Sequence, residues 1–142
     1  MIYLDTGCFV KLYYPEPDSA KVVALIQGKP VCYTPLHELE FVNALQLKVF
    51  TSSATPAQIA AARSLVDADL KAGVIVSASG QWTEIFKEAT KLAEQHSAGI
   101  GCRSLDVLHC AAAKALGAAE FISSDSRQKK LALTIGLNLV TF

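Results

Sequence analysis

Five short apolar runs recur along this chain with long helical spacings between them. They are Ile2-Tyr3-Leu4-Asp5, Val31-Cys32-Tyr33, Val74-Ile75-Val76, Glu120-Phe121-Ile122-Ser123 and Leu139-Val140-Thr141. Strands this short and β-branched, alternating with helices, belong to a parallel sheet covered on both faces. The intervening apolar periodicity predicts helices over 7–14, 18–28, 35–50, 56–72, 81–97, 104–116 and 126–135. The punctuation agrees. Pro35 suits a first helical position, Ser104 a cap, and Gly28, Gly73, Gly117 and Gly136 follow helix ends. The polar stretch Thr51–Pro56 reads as a helix-to-helix connection. The expected architecture is α/β: a three-layer α/β/α sandwich around a central, mainly parallel sheet of about five strands.

The chain has 142 residues and no repeat or linker, so residues 1–142 are expected to form one domain. Hydrophobic residues make up 51% and charged residues 18%, which excludes a disordered chain. No apolar stretch approaches a membrane span, and no basic region precedes the first apolar run as in a signal peptide. Cys8, Cys32, Cys102 and Cys110 form no CxxC pair and match no zinc spacing. They read as small apolar fillers in a reducing cytoplasm. Thirteen basic and thirteen acidic residues cancel, so nucleic acid cannot be held by bulk charge. Such contact needs a local basic patch, a metal ion or a partner.

In open parallel sheets ligands bind outside the carboxyl ends of the strands. Asp5 ends the first strand, and Asp125 lies just past the fourth. Asp106 is in the first turn of a helix that feeds the fourth strand, and Glu40 is in the first half of the helix after the second. All four carboxylates are thus expected at one sheet edge. Gathered acids repel, and a hard divalent cation such as Mg²⁺ or Mn²⁺ relieves the repulsion. Such an ion activates water and polarises phosphate, as in many nucleases. Each acid also has a structural reading: Asp5 and Asp125 as helix caps, Asp106 as a first-turn complement to the helix dipole, Glu40 as a solvated residue. Glu40 shares a helical stripe with Leu36, Asn43, Leu47 and Phe50, which reads as core-facing. Glu38 shares another with Val42, Leu45 and Val49, and periodicity does not separate the two.

At these residues the chain resembles the PIN-domain family, and within it the VapC-like toxins of toxin–antitoxin pairs. The matching segments are Tyr3-Leu4-Asp5-Thr6, HELEFVNAL ending at Leu45, RSLDVLHCAAAKALGA ending at Ala118, and FISSDSRQKKLA ending at Ala132. The resemblance implies a Mg²⁺- or Mn²⁺-dependent ribonuclease with Asp5, Glu40, Asp106 and Asp125 as its acids. Asp5, Asp106 and Asp125 would be the chief metal ligands, with Glu40 acting directly or through water. It favours Glu40 over Glu38, and matches Ser123 and Thr6 to supporting polar positions; Asn43, in the motif after Glu40, is a further supporting candidate. It also implies a homodimer and a small antitoxin partner. Apolar candidates for such contacts lie around Phe9, Tyr13, Tyr14 and Pro15 and on 56–72.

These toxins are often more basic than this chain. Arg103, Arg127, Lys129 and Lys130 are the local candidates for contact with the RNA backbone, against the alternative of a solvated helix face. His109, three residues after Asp106, reads as a structural histidine, and His37 and His96 carry no distinguishing context. A phosphotransferase that also presents Asp after its first strand requires a second Asp two residues later. Gly7 stands there. A non-catalytic, metal-stabilised binding module, or an RNA-processing nuclease without an antitoxin, are the remaining alternatives.

Overall fold

A computed structural model describes residues 1–142. Its five strands are β1 (Ile2–Leu4), β2 (Val31–Tyr33), β3 (Ile75–Ser77), β4 (Glu120–Ile122) and β5 (Leu139–Val140). They form one sheet in the order β3-β2-β1-β4-β5, and every neighbouring pair is parallel. The chain first builds outward from β1 to β3 and then crosses to the other side of β1. The strand order therefore reverses between β1 and β4. Their carboxyl ends open onto the crevice where ligands bind in such sheets.

The helices are α1 (Thr6–Tyr13), α2 (Ser19–Ile26), α3 (Pro35–Phe50), α4 (Pro56–Ala72), α5 (Trp82–Leu92), the single turn α6 (Ala98–Ile100), α7 (Ser104–Ala115) and α8 (Ser126–Thr134). Side-chain alternation along the strands divides the core in two. Ile2, Leu4, Val31, Ile75 and Ile122 face α1–α4, where Phe9, Phe41, Leu45 and Val66 complete one cluster. Tyr3, Cys32 and Phe121 face the other way, against Ile85, Leu92, Cys110, Ala111 and Leu131 of α5, α7 and α8. The small residues Ala111, Ala112 and Ala113 are fully buried and let α7 approach the sheet closely.

Four details differ from the sequence reading. Asp5 is outside β1 and caps α1. The helix expected over 81–97 stops at Leu92 and continues as a π turn over Ala93–Ser97 before α6. The residue preceding α7 is Arg103, not Ser104, because the Asp106 side chain reaches back to the Arg103 N–H. The stripe of Glu40 is not uniformly core-facing: Leu47 is 52% exposed and Phe50 85% exposed. Asn43 on that stripe is already exposed, whereas Val49 in the last turn still packs against the core, so the stripe lies on a different face from the one the core covers. The buried face of α3 is Leu36, His37, Phe41 and Leu45.

Phe9 and Tyr13 are core residues, which removes them as surface candidates, while Tyr14 is half-buried and Pro15 exposed. Cys8, Cys32 and Cys110 are buried free thiols, and Cys102 is half-buried. Burial pushes the Cys32 thiol up to about 11. No helix is long and apolar enough to cross a membrane.

Candidate functional site

The β1 chain ends on Asp5, and the Asp5 N–H still bonds to the Ile122 carbonyl of β4 at 2.9 Å. The next residues turn into α1. Asp5 Oδ1 accepts the Cys8 N–H at 2.7 Å, the usual N-cap bond. Oδ2 accepts the Ser123 hydroxyl at 2.5 Å. The same Ser123 Oγ accepts the Asp125 N–H at 3.0 Å, so one buried hydroxyl ties the end of β1 to the end of β4.

Asp125 caps α8. Its Oδ1 accepts the N–H groups of Arg127 and Gln128 at 2.7 and 3.1 Å, and its Oδ2 accepts Nη2 of Arg127 at 3.0 Å. Asp106 caps α7 from within. Its Oδ2 accepts the Arg103 N–H at 2.9 Å, and its Oδ1 accepts Nε2 of Gln128 at 3.2 Å. The structural readings of these three acids are therefore all realised. In each, one oxygen is committed to a backbone cap. The other is held only by a side chain: Ser123, Arg127 or Gln128.

Glu40 belongs to the same edge through a separate network. Its Oε2 accepts the Thr6 hydroxyl at 2.7 Å and lies 2.6 Å from Nε2 of His109. Burial raises the Glu40 pKa, but the bond and charge of His109 and the Thr6 hydroxyl outweigh it, and the group ends below its usual value. His109 also lies 3.0 Å, through Nδ1, from the Tyr3 hydroxyl. Glu38, by contrast, is exposed, so the structure separates the two glutamates that periodicity left open.

Asn43 is exposed beside Pro35, Glu38, Leu39 and Gln46 on a shallow groove, and makes no bond to the acids. Among the basic candidates, Arg127 is half-buried between Asp125 and Asp106, with its Nε 3.8 Å from Asp106 Oδ2. Arg103 is exposed with its Nε at the same distance from that oxygen. Lys129 is half-buried and Lys130 exposed, and neither forms an ion pair.

Sequence reasoning missed three participants. His109 was legible only as a neighbour of Asp106, although the apolar run Val107–Ala113 forces every side of α7 into the core. Tyr3 was hidden in a strand whose alternation points it away from Ile2 and Leu4, toward α7. Gln128 is 6% exposed, and its Oε1 has no partner. Its position at the third residue after the Asp125 cap was the available signal.

No three His, Cys, Asp or Glu side chains are gathered closely enough in this packing to hold one ion. The donor set nonetheless fits a hard divalent cation. The acids supply carboxylate oxygens, the preferred donors of Mg²⁺ and Mn²⁺. The orphaned amide oxygen of Gln128 lies on the side chain that bonds Asp106.

A model of the PIN domain family matches residues 2–133. The chain belongs to the PIN domain family. Comparison with curated proteins by sequence gave no match. Solved structures with the same fold include VapBC2 from Rickettsia felis bound to a DNA fragment from its promoter. It is 20% identical, covers 99% of this chain and 98% of that chain, and has a TM-score of 0.64. VapC20 of Mycobacterium tuberculosis, a sarcin-ricin loop cleaving toxin, is 15% identical over 96% of each chain with a TM-score of 0.67. FitAcB from Neisseria gonorrhoeae is 17% identical, covering 98% of this PIN chain and 96% of that chain, with a TM-score of 0.59.

Proposed function

We propose that this PIN domain is a divalent-ion-dependent endoribonuclease and the toxin of a toxin–antitoxin pair. The observation that carries the reading is the arrangement of Asp5, Asp106 and Asp125. They lie at the starts of α1, α7 and α8, beside the crevice between β1 and β4 where the strand order reverses. Each keeps one oxygen that no backbone group claims. The similarly folded proteins support the biological class, since VapC20 is a toxin that cleaves the sarcin-ricin loop.

Asp5, Asp106 and Asp125 would hold Mg²⁺ or Mn²⁺, with Glu40 completing the site directly or through water. When bound, such an ion neutralises phosphate charge and acidifies water. The chain's own residues do the rest. Ser123 fixes the spacing of Asp5 and Asp125 through two bonds to one hydroxyl. Thr6 and His109 fix Glu40. Arg103, Arg127, Lys129 and Lys130, on the same edge, meet the RNA backbone and set its direction across the acids. In the hydrolysis, water attacks phosphorus, the bond to the leaving oxygen breaks, and the leaving oxygen takes a proton. The partners proposed are a second copy of the chain and a small antitoxin, in the cytoplasm.

The test is cleavage of structured and unstructured RNA by the purified protein, with and without EDTA, beside Asp5→Asn. Loss of cleavage in both cases with an unchanged circular dichroism spectrum supports the proposal. Cleavage that survives EDTA removes the metal requirement. A second reading, a non-catalytic binding module, draws on the separation of the acids in this packing. It predicts RNA retained in a binding assay and never cut at any ion concentration.

A further inference from the structure

Resting on the nuclease reading, we propose that His109 is a positioning residue. Held by Tyr3 from one side, it uses Nε2–H to fix Glu40 so that a single carboxylate oxygen is left for the reaction.

Donors and acceptors decide the roles. His109 is 1% exposed, so its ring nitrogens find partners within the protein or none. Nε2 faces Oε2 of Glu40 at 2.6 Å and Thr6 Oγ1 at 3.2 Å. A carboxylate only accepts, so Nε2 carries the hydrogen. Nδ1 faces the Tyr3 hydroxyl at 3.0 Å. A neutral imidazole then presents a lone pair at Nδ1, which the Tyr3 O–H satisfies. Burial holds the Tyr3 phenol well above its ordinary pKa, so it remains a donor. The direction of the bond to Glu40 is the same whether or not the ring is charged.

The frame around the pair is rigid. Tyr3 is fully buried and stacks on Phe121 with ring centroids 5.8 Å apart. Its other neighbour is His37, at 4.8 Å. His37 is itself fixed by Nε2 on the Leu4 carbonyl at 2.8 Å and by Nδ1 on the Thr34 hydroxyl at 2.7 Å. His109 thus cannot turn without breaking two buried bonds. The outcome at Glu40 is asymmetric. Oε2 takes both Thr6 and His109, while Oε1 takes no bond from the protein. An acid that must reach an ion, a water or a substrate needs one oxygen fixed and one left over. Thr6 directly follows Asp5, so the fixed oxygen of Glu40 is tied to the residue next to Asp5.

Gln and Asn separate the contacts. The Gln amide nitrogen overlays Nε2 and keeps a donor toward Glu40; Asn overlays Nδ1 and keeps only the Tyr3 side. His109→Asn is expected to lower kcat on RNA by about 10- to 100-fold, the usual cost of losing a supporting bond of this kind. His109→Gln is expected to restore most of it. In a Glu40→Gln background, His109→Asn is expected to add no further loss. Multiplicative losses in that double variant, or equal losses for Gln and Asn, overturn the proposal. A readout independent of activity uses the wild-type protein: side-chain ¹⁵N–¹H correlation spectra should show the hydrogen of His109 on Nε2. A hydrogen found on Nδ1 alone overturns the assignment even if the chain cleaves no RNA, and a chain that cleaves no RNA yet shows the Nε2 hydrogen refutes only the nuclease reading.

Discussion

Arg127 holds Asp125 with Nη2 at 3.0 Å from Oδ2, and the same guanidinium extends its Nε to 3.8 Å from Asp106. Two of the three acids at the β1/β4 crevice thus share an internal cation. Acids that would repel one another are stabilised by a side chain from the helix that one of them caps.

This placement predicts competition between Arg127 and a divalent ion. Arg127→Gln removes the internal cation and keeps most of the side chain's length. A half-buried pair of this kind, open to solvent on one side, is worth about 1 kcal/mol, so the expected tightening of Mn²⁺ is about two- to five-fold. Titration of free Mn²⁺ by electron paramagnetic resonance measures it. Unchanged or weaker Mn²⁺ binding would show that the guanidinium does not oppose the ion. If Arg127 meets the RNA backbone as proposed, RNA affinity should move the other way.

The proposed double use of the acids, as helix caps and as metal ligands, predicts a split between Asn and Ala variants. Asp5 and Asp125 each cap a helix, and Asn caps nearly as well as Asp. Asp5→Asn and Asp125→Asn should therefore abolish cleavage while leaving thermal stability close to wild type. The corresponding Ala variants should lose about 1 kcal/mol in addition, through the missing cap. Thermal denaturation beside the cleavage assay checks both. Equal destabilisation by Asn and Ala would mean that the negative charge itself, not the cap bond, stabilises the fold.

Ser123 offers a sharper stability prediction. The residue is 1% exposed, and its hydroxyl both donates to Asp5 and accepts from Asp125. Ser123→Ala strands the Asp125 N–H and removes a donor from Asp5. The expected cost is about 1–3 kcal/mol in urea unfolding. Ser123→Thr retains the hydroxyl and should recover most of that loss. A Thr variant as unstable as Ala would mean that the added methyl does not fit among its buried neighbours.

The sheet and its polarity were legible because short apolar runs and helix stops are local signals. Asp5 and Asp125 could be placed from the same signals, since both lie just past a strand. The links between them were not legible. Ser123 and Gln128 matter through bonds to residues far along the chain, and periodicity carries no information on such pairs. The Glu40 stripe shows the opposite failure. Leu47 and Phe50 obey helical spacing yet face outward, because the buried face of α3 runs through His37, Phe41 and Leu45, beside that stripe. Spacing reports which residues share a face, not which of two neighbouring faces the core covers.

His37 predicts how stability depends on pH. Burial is the main cause that lowers its pKa, joined by repulsion from His109 and opposed by the Leu4 carbonyl bond and the Glu40 charge, and the result is about 3. The unfolded value is near 6.5. The folded state thus prefers the neutral ring. Its contribution is fully present above about pH 6.5 and is lost as pH falls from there toward 3, where the unfolded chain binds one more proton. Acidification across that window therefore removes stability step by step. Glu40, whose pKa is depressed, adds a loss in the same direction at the acid end of that window. Urea unfolding at a series of pH values between about 7.5 and 4 should show stability falling steadily with acid. His37→Gln should be less stable at neutral pH and flatter across the range. A wild-type curve that stays level down to about pH 4 would show that His37 is protonated in the fold at no cost.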